Sequence, residues 1–584
     1  MIYLNAQTIS GQQYNQEIFG ANILASRDQL GEDGTYDNAA AALGVQHVRY
    51  PGGSLTEDYF DLSNPDNTSA IDPDTGREVE LLPYTEFMTY AEENDIDVTI
   101  VLPTRHFLTE ETDANGHRFA NVDEASLRGF IQDTLNGEHG SPTIRAFEIG
   151  NEYWGSGEMD SLEYGRVSSQ MAQILNEEID NHSEGDTAYS EVDILVQNGQ
   201  NYGSARLIGD YDHLDTAEEQ LEAIMEDYNV ELDESFVFNS GEISWARVAN
   251  EIILSEFDTA EERDAVDGVI AHIYSRGDGS PNSREYDLNV IDSTWGEQID
   301  GLDTYVTEWN LRANRTNWDP EEQYGLRQAH EILNMTEVFV EHDVEAAHIW
   351  AVQQNNLTNL AGNEGDDGRL TVPGEMFRMM NESLVDTRPV SFEGSGNREH
   401  ELAEEDTSVH GFYAEDRMVL FIASNTEDTQ QSVIDLSQIM SGAGEMHIDV
   451  LGVKDGYNPT SPESLAEVTT LDPDQVFDNG ILTTQMDGYE IIRVEIDNPD
   501  YTADFMSALN GAPKAEDEVV DDLIETPVIP EVPAAAEDEA DAADAGDDSE
   551  DDGMTDAGDS DGGGSGGMGL ALAILPFLAL LGGL

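Results

Sequence analysis

Short apolar or β-branched runs recur through the first two-thirds of the 584-residue chain, separated by polar and glycine-containing stretches. Eight of them read as strands: residues 17–22, 46–50, 97–102, 145–149, 193–197, 269–273, 304–307 and 346–351. Helix-like stretches lie between several of these, at 83–94, 124–136, 164–180, 217–228, 245–257 and 320–342. Eight strand–helix units in about 370 residues fit a (β/α)8 TIM barrel with long loops better than a doubly wound sheet. The first strand is followed by no glycine-rich phosphate loop, since Gly20 stands alone there. The barrel is assigned to residues 16–388.

After Pro389 the pattern changes to short β-rich segments at 408–413, 418–424, 432–436, 445–451, 464–470, 480–485 and 489–496, with turns such as Asp487-Gly488 between them. This spacing predicts a C-terminal β-sandwich over 389–500. Residues 1–15 also read as extended and are expected to pair with it. The fold class is therefore α/β: a barrel, then a sandwich, then a disordered acidic tail. That tail, 501–568, is rich in Ala, Asp, Glu, Pro and Gly, and like charges at this density cannot bury enough apolar surface to fold. Residues 569–584 are almost wholly apolar, with Pro576 among them. They are shorter than the ~20 residues a membrane span needs, and resemble a surface-sorting or anchoring segment. Met1-Ile2-Tyr3-Leu4-Asn5 lacks the charged and apolar regions of a signal peptide. Export by another route, or a start further upstream, is the expectation for an extracellular or cell-surface protein.

Charge narrows the partners. The chain has 123 acids against 24 bases, a formal net charge of −99. Residues 512–562 hold 20 acids and Lys514, so most of the charge lies on the part expected to fold. Such repulsion weakens a compact state in dilute buffer and is relieved by salt, which suggests a saline habitat. It also argues against nucleic acid as a partner. With no cysteine, disulfides, thiolate metal sites and cysteine nucleophiles are excluded. Asp72-Pro73-Asp74 lacks the spacing and glycine of a calcium loop, so no dedicated metal site is expected.

The chemistry concentrates in two stretches, Phe147-Glu148-Ile149-Gly150-Asn151-Glu152-Tyr153-Trp154 and Tyr305-Val306-Thr307-Glu308-Trp309-Asn310. Each ends an apolar run on a glutamate flanked by an aromatic and an asparagine, as when a barrel strand delivers a carboxylate to its C-terminal face. Two carboxyl groups facing one cleft, one protonated and one ionised, are what retaining cleavage of a glycosidic bond needs. Glu152 is the candidate general acid/base, with Tyr153 and Trp154 expected to disfavour its charged form. Glu308 is the candidate nucleophile. Arg49 and Tyr274, at the ends of strands two and six, are the candidates to keep it ionised. His272, two residues before Tyr274, points the same way along its strand. Glu242, in Asn239-Ser240-Gly241-Glu242, competes as a substrate ligand, and Glu148 reads as a support.

These spaced elements resemble glycoside hydrolase clan A, and in detail the family 51 α-L-arabinofuranosidases. Arg49-Tyr50-Pro51-Gly52-Gly53 is similar to the turn after their second strand, and His272-Ile273-Tyr274 to their sixth strand. His348-Ile349-Trp350 falls on the eighth, and Gly374-Glu375-Met376-Phe377-Arg378-Met379 is similar to the helix leading into their sandwich. The resemblance implies that Asn151 binds the sugar 2-hydroxyl, that Arg49 and Tyr274 hold the nucleophile, and that His272, Trp309 and Trp350 line the site. It implies a carbohydrate substrate and no cofactor. One departure is Phe19-Gly20-Ala21-Asn22, where some family members carry a sugar-binding glutamate. Xylosidase, glucuronidase, glucanase and transglycosylase activities remain open. So does a catalytically silent glycan-binding surface protein, which would have no need of two carboxylates at these strand ends.

Overall fold

The computed structural model describes residues 1–511 except 10, 32–33, 74, 184–191, 314–319, 354–356, 363–368, 396–400 and 405. The expected acidic linker beyond 511 and the apolar segment 569–584 lie outside the described residues. Among those described, no helix is long and apolar enough to cross a membrane.

Eight parallel strands close into a barrel: β1 (Gly20–Asn22), β2 (His47–Tyr50), β3 (Asp97–Leu102), β4 (Ile144–Ile149), β5 (Asp193–Gln197), β6 (Gly268–Ser275), β7 (Asp303–Leu311) and β8 (Val344–Ile349). Each sits where an apolar run was expected, except that β1 is shorter. Gln16–Phe19 forms a 3₁₀ turn instead, because the Asn15 side chain accepts the Ile18 N–H at 3.0 Å. The turn seats Phe19 between Tyr14 and Phe377.

The barrel interior follows from the two-residue period of a strand. Ala146, Leu195, Ile270, Tyr305 and Ala346, from five consecutive strands, form a small cluster of their own, separate from the larger core between strands and helices. Two positions further along, the interior becomes polar: Glu148, Gln197, His272 and His348. Strand β7 breaks the count. Val306 pairs with Ala271, but the next pair is Glu308 with His272, so Thr307 is bulged out of register. This one-residue insertion sends Glu308 inward and Trp309 outward. The Asn22 amide nitrogen donates to the bulged Thr307 carbonyl at 3.0 Å.

The expectation that Trp309 lines the site is therefore corrected. Its ring is fully buried in the core behind the strand, edge-on to Phe339 at 5.2 Å and near Phe377. Those two rings come from the helices Leu326–Glu341 and Val372–Leu384.

Two sheets form the sandwich. One runs through Ala6–Ile9, Arg388–Phe392, Thr407–Tyr413, Arg417–Ser424, Ile491–Asp497, Glu445–Val453 and Ala466–Thr470. The other holds Ile2–Tyr3, Gln430–Asp435, Ile481–Met486 and Phe477–Asp478. The N-terminal residues pair with both sheets, Ile2 with Ile434 and Ile9 with Val390. The ordered chain also runs further than expected: Ala503–Gly511 is a helix, with Phe505 buried in the sandwich core.

Residues 1–511 carry 103 acids against 23 bases. Calorimetry from ~0.05 to ~2 M KCl is expected to show the melting midpoint rising as this repulsion is screened. An unchanged midpoint would mean that the repulsion contributes little to stability.

Candidate active site

The site forms at the C-terminal ends of the barrel strands, around one buried side chain. Arg49, on β2, is fully buried and all five of its N–H groups find acceptors. Nε and Nη2 donate to the two oxygens of Glu148, each at 2.8 Å. Nη1 donates to Asn22 Oδ1 and to Glu308 Oε1, both at 2.9 Å, and Nη2 also reaches Asn151 Oδ1 at 2.8 Å. Burial alone would weaken this cation, but the charges of Glu148 and Glu308 outweigh it and hold the guanidinium protonated well above its ordinary value.

Glu308 receives a second donor, the Tyr274 hydroxyl, 2.8 Å from Oε2. Burial, and then the Glu308 charge, push that phenol far above the ordinary tyrosine value, so it remains a donor. Glu152 is held differently. One of its oxygens lies 3.1 Å from His272 Nδ1, and the same nitrogen is 3.7 Å from Glu308 Oε2. One oxygen from each glutamate and a ring nitrogen of His272 all fall within 4.8 Å of one another. Glu152 is 16 % exposed and Glu308 6 %. A small cation could sit between three such groups, but Arg49 already supplies positive charge to Glu308, and Tyr274 takes its other oxygen.

The turn that carries Glu152 is clamped from both sides. Gly150 adopts φ 78° where a Cβ would press on Thr104 at 3.0 Å, and Glu152 itself sits at φ 43°. Gln197 donates to the Gly150 carbonyl and accepts the Tyr153 N–H, both at 3.2 Å. Glu57 accepts the backbone N–H groups of Asn151, Thr104 and Arg105 and the Thr104 hydroxyl. Burial pushes its carboxyl up against those four bonds.

Of the expected site residues, Arg49, Asn151, Glu152, His272, Tyr274 and Glu308 come together. Trp350 is half-buried at the same end, with its ring against the bare face of Gly53, where a Cβ would stand 2.5 Å away. His348 lies one layer deeper, its ring edge-on to His47 at 4.2 Å. Tyr153 turns away to stack on Tyr164 at 4.4 Å, and Glu242 stands exposed on a turn. Glu57 and Gln197 went unrecognised in the sequence. Glu57 is one of 123 acids, and nothing in Leu55-Thr56-Glu57-Asp58 sets it apart.

No protein-family model and no curated protein matches the chain by sequence. Solved structures do match. The family 51 α-L-arabinofuranosidase AbfB of Bifidobacterium longum aligns over 85 % of this chain and 99 % of its own, at 14 % identity and a TM-score of 0.53. The α-L-arabinofuranosidase of Thermotoga maritima aligns over 85 % and 99 %, at 14 % and 0.52. CelM2, a bifunctional glucanase-xylanase from a metagenome library, covers 85 % and 100 %, at 12 % and 0.51. What these proteins share with the chain is the fold, that of the clan A glycoside hydrolases.

Arg49→Met would strand two carboxylates in the interior, and is expected to cost ~3–5 kcal/mol in urea unfolding. A loss below ~1 kcal/mol would mean that water replaces the guanidinium. His272 supplies a pH signature. Burial lowers its affinity for a proton, but Glu308 and Glu152 together raise it above the ordinary histidine value. A group raised on folding contributes stability that is fully present below the unfolded pKa, about 6.5, and is lost as pH rises through the folded value. Stability of His272→Asn should therefore fall less than wild type as pH is raised above about 6.5. Parallel curves would show that His272 binds no extra proton on folding.

Proposed function

We propose that the chain is a retaining glycoside hydrolase acting on arabinofuranosides or related pentosides of plant- or algal-type polysaccharides. The observation that carries this reading is the pair Glu152 and Glu308, facing each other with oxygens within 4.8 Å. Retaining enzymes place their carboxyl groups ~5–5.5 Å apart, whereas inverting ones leave ~6.5–9.5 Å for a water.

The unequal surroundings support a division of roles. Glu308 accepts from a guanidinium and a phenol, which balances the charge of a nucleophilic carboxylate while a lone pair stays free to attack the anomeric carbon. Among the described residues Glu152 has only an imidazole as partner, and it is the more exposed of the two. It is placed to give a proton to the departing glycosidic oxygen, and later to take one from the water that hydrolyses the glycosyl–Glu308 ester. His272 Nδ1 reaches both carboxylates and can stabilise whichever is charged. Arg49 occupies the oxygen of Asn151 and Ser156 Oγ takes one of its amide N–H groups at 3.5 Å, which leaves the second N–H to meet a sugar 2-hydroxyl.

The furanoside preference is supported by the α-L-arabinofuranosidases among the solved structures that share the fold. Xylosidase, glucuronidase and glucanase activity on the same two glutamates are its rivals. The acidic run and apolar segment of residues 512–584 support action at the cell surface.

A panel of aryl glycosides (arabinofuranoside, xyloside, glucuronide, glucoside, galactoside), run in low and high salt, tests the substrate. On a responsive member, Glu308→Ala should lower kcat by several orders of magnitude. Glu152→Ala should suffer least with leaving groups that need no proton. A 2-deoxy-2-fluoro glycosyl fluoride should lose its anomeric fluoride to the attack of Glu308 and leave the mass of the fluoroglycosyl group on the Glu308 peptide. Near-normal turnover by Glu308→Ala would exclude the mechanism.

A further inference from the structure

Besides the glutamate pair, a second cluster joins the barrel to the sandwich. His330 lies on the helix Leu326–Glu341 that covers the barrel, and His410 on the sandwich strand Thr407–Tyr413. Their Nε2 atoms face each other at 2.9 Å. Glu401 closes the triangle: its Oε2 lies 3.6 Å from His330 Nε2 and 3.5 Å from His410 Nε2. Behind His410, Nδ1 is 2.8 Å from Glu337 Oε2, and Glu337 is fully buried.

The geometry points to a zinc-class divalent cation site made by His330, His410 and Glu401, which clamps the sandwich to the barrel. Three atoms with these separations have an equidistant point about 2.0 Å from each, within the range of zinc–nitrogen and zinc–carboxylate bonds. A small displacement of the ion out of their plane leaves a fourth, tetrahedral position for water. Two imidazoles and one carboxylate are a borderline donor set that suits zinc over calcium or magnesium. The Glu337–His410 contact is the carboxylate–histidine pairing that fixes a ligating imidazole: with the proton on Nδ1, the Nε2 lone pair faces the ion.

A simple hydrogen-bond relay explains less. If His410 Nδ1–H donates to Glu337, its Nε2 is an acceptor, and His330 Nε2–H can donate to it. Glu401 then keeps the hydrogen bond of Ser408 and the charge of Arg284 nearby, but it still sets an oxygen 3.5 Å from that lone pair. The relay also leaves two carboxylates beside two neutral rings, with Glu337 Oε1 buried and unbonded. A divalent cation neutralises that excess and uses all three facing atoms. On binding it takes the lone pair of His330 Nε2, and the proton of that ring moves to Nδ1.

The test uses the full-length protein, stripped by a chelator and dialysed into ~1 M KCl with excess magnesium, so that the acidic surface is screened and filled. Zinc chloride is then titrated in, and bound zinc is counted by atomic emission. One tightly held zinc per chain is expected, with a melting midpoint raised by several degrees at saturation. Cobalt(II) in its place should show the visible absorption of a tetrahedral site. His330→Gln should weaken binding at least tenfold and the His330→Gln/Glu401→Gln pair should abolish it, while metal-free melting of both shows them folded. Zinc retained by the double variant but lost in Glu308→Gln would place the ion between the glutamates and overturn the proposal. Uptake that does not saturate, or that no substitution alters, would overturn it as well.

Discussion

Everything at the open end of the barrel depends on one guanidinium with no water around it. Arg49 brings a positive charge into the interior of a very acidic protein, and that transfer is costly unless every donor is matched. It is matched: a planar fork meets Glu148 along one edge, and the remaining N–H groups reach Asn22, Asn151 and Glu308. Four side chains from β1, β4, the turn after β4, and β7 are thereby fixed relative to one another. Lysine, a point charge with three donors, could not satisfy that set. The five bonds also explain why Glu148, which touches no candidate reacting atom, is itself buried: it neutralises the half of the cation that Glu308 does not.

The positions of these groups are largely a matter of parity. In a barrel strand the interior receives every second residue, so Arg49, Glu148 and His272 are placed as soon as the strand phase is known. This much is legible in the chain, because each carries a recognisable apolar run and a polar residue at its end. The phase of β7 is not. Tyr305 faces the interior, and strict alternation would bring Thr307 and Trp309 after it. The bulge at Thr307 shifts the count, so the glutamate enters and the tryptophan leaves. A bulge has no composition of its own. It is stabilised from a distance, by an Asn22 amide 285 residues away in sequence, and only the closed barrel brings the two together.

Glu57 and Gln197 escaped notice for a related reason. They act on backbone, holding the N–H and C=O groups of the turn around Glu152, and such work requires no motif. Among 123 acids, a carboxylate becomes distinctive only when burial removes its water and four donors replace it. The cluster at the barrel–sandwich seam was equally hidden, since its histidines lie 80 positions apart and belong to different layers of the molecule.

The contrast between the two facing glutamates follows from their supports. Glu308 sits within β7 and rests on two other strands through Arg49 and Tyr274, so its position is tied to the barrel. Glu152 rides a left-handed turn beyond its strand, held there by Gln197 and Glu57. Support from the sheet on one side and from a clamped turn on the other is compatible with the proposed pair, in which one member would hold a covalent bond while its partner exchanges a proton first with a sugar oxygen and then with water. The imidazole of His272 lies between them, its Nδ1 3.1 Å from Glu152 and 3.7 Å from Glu308. A barrel that placed both carboxylates within its strands would lack that difference in support, and the proposed division of tasks between two chemically identical side chains rests on it.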